Sequence, residues 1–186
     1  MPYIDIIDEA DATGELKEAY AAIAQARGKV ANIMKIHSLN PQAMLQHLEL
    51  YKTLLFGRSG LKRAERELIA TIVSSINGCA YCTNHHAEAL RAYWKDEERV
   101  AAIVDILPEK ADLSEREQAM VDYARTLTET PTQMTERHVE RLREAGLSDR
   151  DILDVNLITS YFNFVNRIAE GLGVPFSEEE MTGYTY

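Results

Sequence analysis

Helical periodicity constrains the fold of this chain more than any other feature of its sequence. Apolar residues recur at intervals of three and four through most of the 186 residues, and the strict alternation typical of a strand never persists beyond a few positions. The nine glycines and five prolines fall mainly between the periodic segments. We therefore predict an all-α fold.

The periodic segments predict a series of helices joined by short connections. Ser114 followed by Glu117 has the pattern of a capping box, and Asn77-Gly78 marks a helix end. Because the connections are short, neighbouring helices should pack antiparallel or at steep angles. We expect one domain over residues 1–175 and a tail over 176–186 that either contacts a neighbouring subunit or is disordered. The predicted helices cover residues 15–26, 41–55, 63–76, 79–94, 97–106, 115–128, 136–145 and 149–169.

Charge and hydropathy limit the partners that this chain is expected to have. A formal net charge of −10 and a pI near 5.0 would repel a phosphate backbone, so we predict no nucleic-acid partner. No apolar run approaches the roughly 20 residues needed to span a bilayer, and the first residues lack the basic and apolar stretches of a signal peptide. These features predict a cytoplasmic protein without a membrane partner.

Both cysteines of the chain stand close together, Cys79 and Cys82, directly after Asn77-Gly78. They therefore fall in the first turn of a predicted helix, where free N–H groups and the helix dipole favour an anion and lower the pKa of a thiol. Residues three apart on a helix lie about 5–6 Å apart, within reach of a disulfide. A disulfide over so short a loop would stabilise the fold by only about 2 kcal/mol on the entropy model. The spacing favours redox chemistry over a structural crosslink.

Candidate acid–base groups lie on the same helix and on the helix before it. His86 follows Cys82 by four residues on one helix face and is placed to take the thiol proton, while His85 is one step around the helix and could substitute. In the preceding helix, Glu65 projects from the apolar face and Glu67 lies beside small residues. For either glutamate the simpler interpretation is a solvated charge near a helix start.

Metal and haem sites fit this pattern less well than a dithiol does. Cys79, Cys82 and His86 supply three zinc ligands, and no second Cys or His pair follows at finger spacing. A c-type haem requires CxxCH, and Thr83 occupies the position of that histidine. A thioredoxin-type site would follow a strand. We predict neither a metal nor a cofactor, with structural zinc as the least favoured alternative.

The residues from Glu67 to His86 read E-x11-C-x-x-C-x-x-x-H, with NGC ending on the first thiol. This run resembles the alkyl hydroperoxidase AhpD and its relatives in the carboxymuconolactone decarboxylase-like superfamily. The stretches LYKTLLFGRSGLKRAERELIA and YFNFVNRIAEGLGV resemble the longer peroxidase-related branch, so the similarity covers most of the chain. The resemblance implies an AhpD-like helical fold, with CxxC at the start of a helix, that assembles as a homo-oligomer.

The resemblance also implies a role for each matched residue. Cys82 would be the peroxidatic thiol, Cys79 the resolving thiol that is exposed to the external reductant, and Glu67 and His86 the acid–base relay. The choice of Glu67 over its neighbouring glutamate rests on this analogy. Tyr81 stands where AhpD has a histidine between the thiols. A phenol with a pKa near 10 is a poor proton shuttle at neutral pH, so we expect a weaker peroxidase.

The predicted function is a thiol-dependent peroxidase that reduces hydroperoxides and is recycled by a dithiol reductant, lipoyl-like by family analogy. A dithiol–disulfide oxidoreductase and a non-catalytic redox sensor are the alternatives, and a lactone decarboxylase-type lyase is less favoured because those relatives do not use the dithiol. We predict auxiliary roles for His85 and Tyr81, and none for three histidines without neighbouring partners in sequence. These are His37, His47 and His138. The YFNF run from Tyr161 is read as core, with Asn163 and Asn166 able to reach the site.

Overall fold

The computed structural model describes residues 1–177 and residue 180, and this part of the chain forms helices and loops without a strand. The all-α prediction is confirmed. Within the described residues no helix is both long enough and apolar enough to cross a membrane. The α-helices are α1 (Gly14–Arg27), α2 (Asn32–Lys35), α3 (Pro41–Phe56), α4 (Arg63–Ile76), α5 (Ala80–Trp94), α6 (Glu97–Val104), α7 (Glu115–Glu129), α8 (Glu136–Glu144) and α9 (Asp149–Leu172). Two 3-10 turns cover Pro108–Lys110 and Pro131–Gln133.

The helix boundaries follow local capping signals in the sequence. The capping box before α7 is present, with Ser114 Oγ accepting from the Glu117 N–H and the Glu117 carboxylate accepting from the Ser114 N–H. Helix α9 continues past its predicted end until Gly173 takes a left-handed conformation, with φ of 63°. Helix α2 was not predicted because a single turn is too short to show a helical period.

Helix α4 lies at the centre of the protein and is covered by α5, α7 and α9. Every residue from Glu65 to Ser74 is buried, so the helix has no solvent-facing side over this stretch. The interpretation of Glu65 and Glu67 as solvated charges is therefore wrong. Neighbouring helices cover both faces of α4, including the small-residue face on which Glu67 lies.

The turn between α4 and α5 brings the two cysteines against this central helix. Asn77 ends α4, Gly78 has a φ of 69°, and Cys79 is the N-cap residue of α5. The left-handed φ favours glycine because a Cβ is disfavoured there. The CxxC motif thus stands at a helix start, as the sequence predicts.

Two clusters of buried apolar residues flank the site. The N-terminal cluster is built from α1 to α3 and includes Ile23, Met34 and Leu48. The main core surrounds α4 and includes side chains of α5, α7 and α9. Ile33 and Tyr51 pack against both clusters, which leaves a pocket between them.

The predicted tail over residues 176–186 lies largely outside the described residues, which omit 178–179 and 181–186. Glu180 is described and buried. Its Oε1 accepts hydrogen bonds from the Asn32 N–H at 2.7 Å and the Tyr81 hydroxyl at 3.0 Å. At this residue the tail contacts its own chain, beside the pocket.

Candidate active site

The pocket between the two clusters has a volume of about 90 Å³ and collects most of the predicted site residues. The predicted residues that line it are Glu67, Tyr81, Cys82, His85 and His86. Its remaining wall is largely apolar and comes mainly from α1, α2, α3, α5 and α9. The described chain therefore gathers these side chains from α4 and α5 around one small cavity.

The two thiols are free and adjacent, but only one of them lines the pocket. Cys79 Sγ and Cys82 Sγ lie 2.7 Å apart, and the Cys82 N–H donates to Cys79 Sγ at 3.4 Å. Cys82 is 2% exposed and faces the cavity, whereas Cys79 is 0% exposed. The expectation that Cys79 is exposed to an external reductant is wrong, because its sulfur turns inward to cap α5.

The environment of Cys82 works against ionisation. The hydrogen bond with Cys79 and the burial of the sulfur raise the pKa of the Cys82 thiol, while a hydrogen bond with Asn166 lowers it by a smaller amount. The predicted lowering of the pKa is therefore wrong for this thiol, because the neighbouring sulfur and burial raise the pKa instead. Cys82 is a thiol at rest and needs a base.

A buried carboxylate, Glu67, holds the ring of His86, which is the candidate base of the site. Glu67 Oε2 lies 2.7 Å from His86 Nδ1, and Glu67 Oε1 accepts from Arg63 Nε at 2.8 Å and Nη2 at 2.6 Å. Burial raises the pKa of Glu67, but the charges and hydrogen bonds of His86 and Arg63 together outweigh it and hold the pKa below its usual 4.5. Glu67 is therefore an ionised carboxylate inside the protein.

The Glu67 contact determines which nitrogen of His86 carries a proton. Because the carboxylate accepts, Nδ1 must be the N–H donor, which leaves Nε2 of the neutral ring as an acceptor. His86 lines the pocket one helical turn after Cys82, and the Phe162 ring packs edge-on against it at 4.5 Å. The arrangement can accept a proton from a thiol in the cavity.

Glu65 is buried as well but has a different environment. Its Oε2 accepts from the Lys62 N–H at 2.7 Å, and its Oε1 accepts from Arg116 Nε at 2.8 Å. These contacts cap α4 and tie it to α7. The structure thus brings Glu67, and not Glu65, to the pocket.

Tyr81 and His85 form the side of the pocket nearest Glu180. His85 Nδ1 lies 2.7 Å from the Tyr81 carbonyl oxygen, and the two rings stack at 4.3 Å. Burial lowers the pKa of His85, so its ring is neutral near pH 7. The Tyr81 hydroxyl also accepts from the Ile33 N–H at 3.3 Å. Both side chains are held by contacts that close this side of the cavity.

Asn166 is a polar contact of the site whose role the sequence did not specify. Its side chain is buried, donates to Ser74 Oγ at 3.1 Å, accepts from Asn77 Nδ2 at 2.9 Å and reaches Cys82. Asn163 accepts from the same Asn77 amide at 3.1 Å. The sequence feature that indicated this contact was the pair of asparagines three residues apart on α9.

His47 and Tyr161 also line the pocket, although the sequence offered no reason to pair them. His47 Nε2 lies 2.7 Å from the Tyr161 hydroxyl, and the two residues are 114 positions apart in the chain. The interpretation of Tyr161 as simple core and of His47 as a residue without a partner missed this contact. No local pattern connects residues so far apart.

A structural zinc site was an alternative interpretation of the cysteine motif. Within the described part of the chain, no group of three or more His, Cys, Asp or Glu side chains is arranged to hold a metal ion. The set of Cys79, Cys82 and His86 is therefore not assembled as a zinc site here.

Comparisons with known proteins agree with this fold. The model of the carboxymuconolactone decarboxylase family matches residues 41–125, which include α3 to α5. The chain is similar to the crystal structure of a peroxidase-related protein from Silicibacter sp. TM1040, with a TM-score of 0.86 and 31% identity. That similarity covers 97% of this chain and 94% of the other.

Two further relatives mark how far the similarity extends. The alkyl hydroperoxide reductase AhpD of Methylobacterium sp. (strain 4-46) is 30% identical over 112 residues, which are 57% of this chain and 63% of that protein. The debrominase Bmp8 has a TM-score of 0.78 with 20% identity, over 96% of this chain and 94% of its own. At that identity the similarity concerns the fold alone. Because Bmp8 is a debrominase, this fold occurs in proteins with different activities.

Proposed function

This chain belongs to the carboxymuconolactone decarboxylase family and has an AhpD-like helical fold, and we propose that it is a thiol-dependent peroxidase. In this proposal a hydroperoxide is reduced to an alcohol while the Cys79–Cys82 dithiol becomes a disulfide. The observation that carries the proposal is that His86, bound to the ionised Glu67, lines the same cavity as the Cys82 thiol.

The first step consumes the hydroperoxide. His86 Nε2 takes the proton of Cys82, and the thiolate attacks the terminal oxygen of the O–O bond. The O–O bond breaks, Cys82 becomes a sulfenic acid, and the His86 imidazolium returns the proton to the leaving alkoxide. Glu67 stabilises the imidazolium between the two transfers, because its carboxylate is buried and ionised.

The second step forms the disulfide. The Cys79 sulfur attacks the sulfenic sulfur of Cys82, the S–O bond breaks, and water leaves with the thiol proton. The 2.7 Å separation of the sulfurs supports this step, since no helix has to move to bring them together. Rapid disulfide formation would protect Cys82 from further oxidation.

The reductant that closes the cycle has to reach a buried disulfide. Because Cys82 lines the pocket and Cys79 does not, a dithiol would attack the Cys82 sulfur and release Cys79 as the leaving thiolate. A second thiol of the donor then resolves the mixed disulfide. A slender donor such as a lipoyl arm fits a cavity of about 90 Å³ better than a folded protein dithiol does.

The proposal is tested by hydroperoxide consumption with a small dithiol donor. Wild type should turn over, and Cys82→Ser should fall to the rate of the uncatalysed reaction. When the donor is left out, Cys79→Ser should consume about one equivalent of hydroperoxide and then stop, because its sulfenic acid has no neighbouring thiol to join. Equal rates for wild type and Cys82→Ser would remove the assignment.

Two further measurements separate the alternatives. A dithiol–disulfide oxidoreductase would reduce a small disulfide substrate faster than it reduces the hydroperoxide. A non-catalytic sensor would change its association state on oxidation, visible by native mass spectrometry, without turning over substrate.

A further inference from the structure

A chain of hydrogen-bonding side chains lies on the pocket wall formed by α3 and α9, and the mechanism above does not use it. Tyr161 OH lies 2.7 Å from His47 Nε2, His47 Nδ1 lies 3.3 Å from His37 Nε2, and His37 Nδ1 lies 3.0 Å from the Ile33 carbonyl oxygen. His47 and Tyr161 are buried and line the same cavity as Cys82.

The direction of each hydrogen bond in this series of side chains follows from the last contact, which His37 makes with the Ile33 carbonyl oxygen. A carbonyl oxygen only accepts, so His37 Nδ1 carries the proton. Burial lowers the pKa of His37. Burial and, to a smaller extent, the electrostatic interaction with His37 lower the pKa of His47 to about 3. Both rings are therefore neutral near pH 7. His37 Nε2 then accepts from His47 Nδ1–H, and His47 Nε2 accepts from the Tyr161 O–H.

This direction leaves the Tyr161 oxygen as an acceptor in the pocket. Its one proton is donated to His47, and among the described residues no group donates a hydrogen bond to its oxygen, so the oxygen can accept from a group in the cavity. Burial and the nearby Tyr51 and Cys82 raise the pKa of Tyr161 well above its usual value, so the phenol stays protonated. The wall therefore offers a neutral oxygen acceptor within the electrostatic reach of the reactive sulfur.

We propose that the Tyr161 oxygen accepts a hydrogen bond from the terminal O–H of the hydroperoxide and thereby holds that oxygen against Cys82. This inference rests on the proposed peroxidase function and adds a binding residue to it. It selects substrates with a proton on the terminal oxygen. Dialkyl peroxides, which lack that proton, cannot make the contact.

The contact persists through the first step without a proton transfer to Tyr161. The terminal O–H moves as a unit from the leaving oxygen to the Cys82 sulfur, so its hydrogen stays on the same oxygen. The resulting sulfenic O–H still donates to Tyr161. This orients the S–O bond for attack by Cys79, while His86 alone carries the proton from the thiol to the alkoxide.

The test compares Tyr161→Phe with wild type in three separate reactions. Removing one oxygen should lower kcat/KM for a hydroperoxide about tenfold, the loss expected for one buried hydrogen bond. Alkylation of Cys82 by iodoacetamide and single-turnover reduction of the disulfide by a dithiol should stay within about twofold of wild type, because neither uses the terminal O–H. Tyr123→Phe is the matched control, since the Tyr123 hydroxyl accepts from Asn156 at 2.8 Å outside this pocket.

His47 provides a second pair of variants. His47→Gln keeps an acceptor for the Tyr161 proton and should retain hydroperoxide activity within about threefold, whereas His47→Leu lets that proton point into the cavity and should lose about tenfold. Unchanged hydroperoxide kinetics in Tyr161→Phe, or an equal loss in alkylation, would overturn the inference. Either result leaves the peroxidase proposal intact as long as Cys82→Ser is inactive.

Discussion

At the scale of single residues, Glu65 and Glu67 show that burial alone does not identify the carboxylate of the candidate site. They are 4% and 0% exposed, and each pairs with an arginine. They differ in the second partner, which is a backbone N–H for Glu65 and the His86 ring for Glu67. The helical wheel could not separate them because the deciding residue lies on α5.

Replacing Glu67 by Gln should impair proton transfer while keeping the shape of the side chain. The neutral amide no longer stabilises the His86 imidazolium, so we expect kcat/KM for hydroperoxide to fall about 100-fold. Glu65→Gln is the matched control because it removes an equally buried charge and leaves His86 untouched. Both variants are measured as folded protein, verified by circular dichroism.

Equal losses in these two variants would contradict the assignment. The reason is that a general effect of removing a buried charge would act on both, whereas a role through His86 acts on Glu67 alone. Unchanged activity in Glu67→Gln would contradict it as well.

At the scale of secondary-structure elements, the sequence predicts helices better than it predicts which faces they bury. Helix α4 begins and ends at the predicted residues, since its period and its punctuation agree. Its burial on every side was not predicted. An amphipathic pattern indicates one covered face, and the coverage of the small-residue face depends on where α5, α7 and α9 pack.

The α4–α5 turn is the element on which the position of the thiols depends. Gly78 has a φ of 69° and no atom within 4 Å of an added Cβ, so a substitution meets only a backbone penalty. Gly78→Ala should lower the free energy of unfolding by about 1 kcal/mol, measured by urea denaturation.

Gly171 is the control for this prediction. It lies inside α9, also with open space around it, and Gly171→Ala should raise the free energy of unfolding by up to about 1 kcal/mol. A Gly78→Ala protein as stable as wild type would show that the left-handed turn is not required.

At the scale of the whole molecule, the pocket exists because two apolar clusters meet. Helix α3 supplies His47, α5 supplies Cys82 and His86, and α9 supplies Tyr161, while Glu180 contacts Tyr81 beside them. The cysteines, Glu67 and His86 could be proposed from the sequence because they lie within 20 residues of one another. The contact between His47 and Tyr161 could not, since it depends on how α3 packs against α9.

The packing also decides how the site communicates with solvent. Capping of α5 by Cys79 buries the sulfur that the family analogy placed at the surface, and the cavity reaches only Cys82. In the proposed cycle, both the oxidant and the reductant therefore use the same pocket and the same sulfur.

The central claim, that Cys82 reacts with a hydroperoxide and then joins Cys79, is tested most directly by intact mass spectrometry. Reduced protein is treated with one equivalent of an organic hydroperoxide and analysed before any reductant is added. Wild type should lose two hydrogens, Cys79→Ser should gain one oxygen, and Cys82→Ser should be unchanged. Wild type that gains oxygen without losing hydrogen, or that stays unmodified, would contradict it.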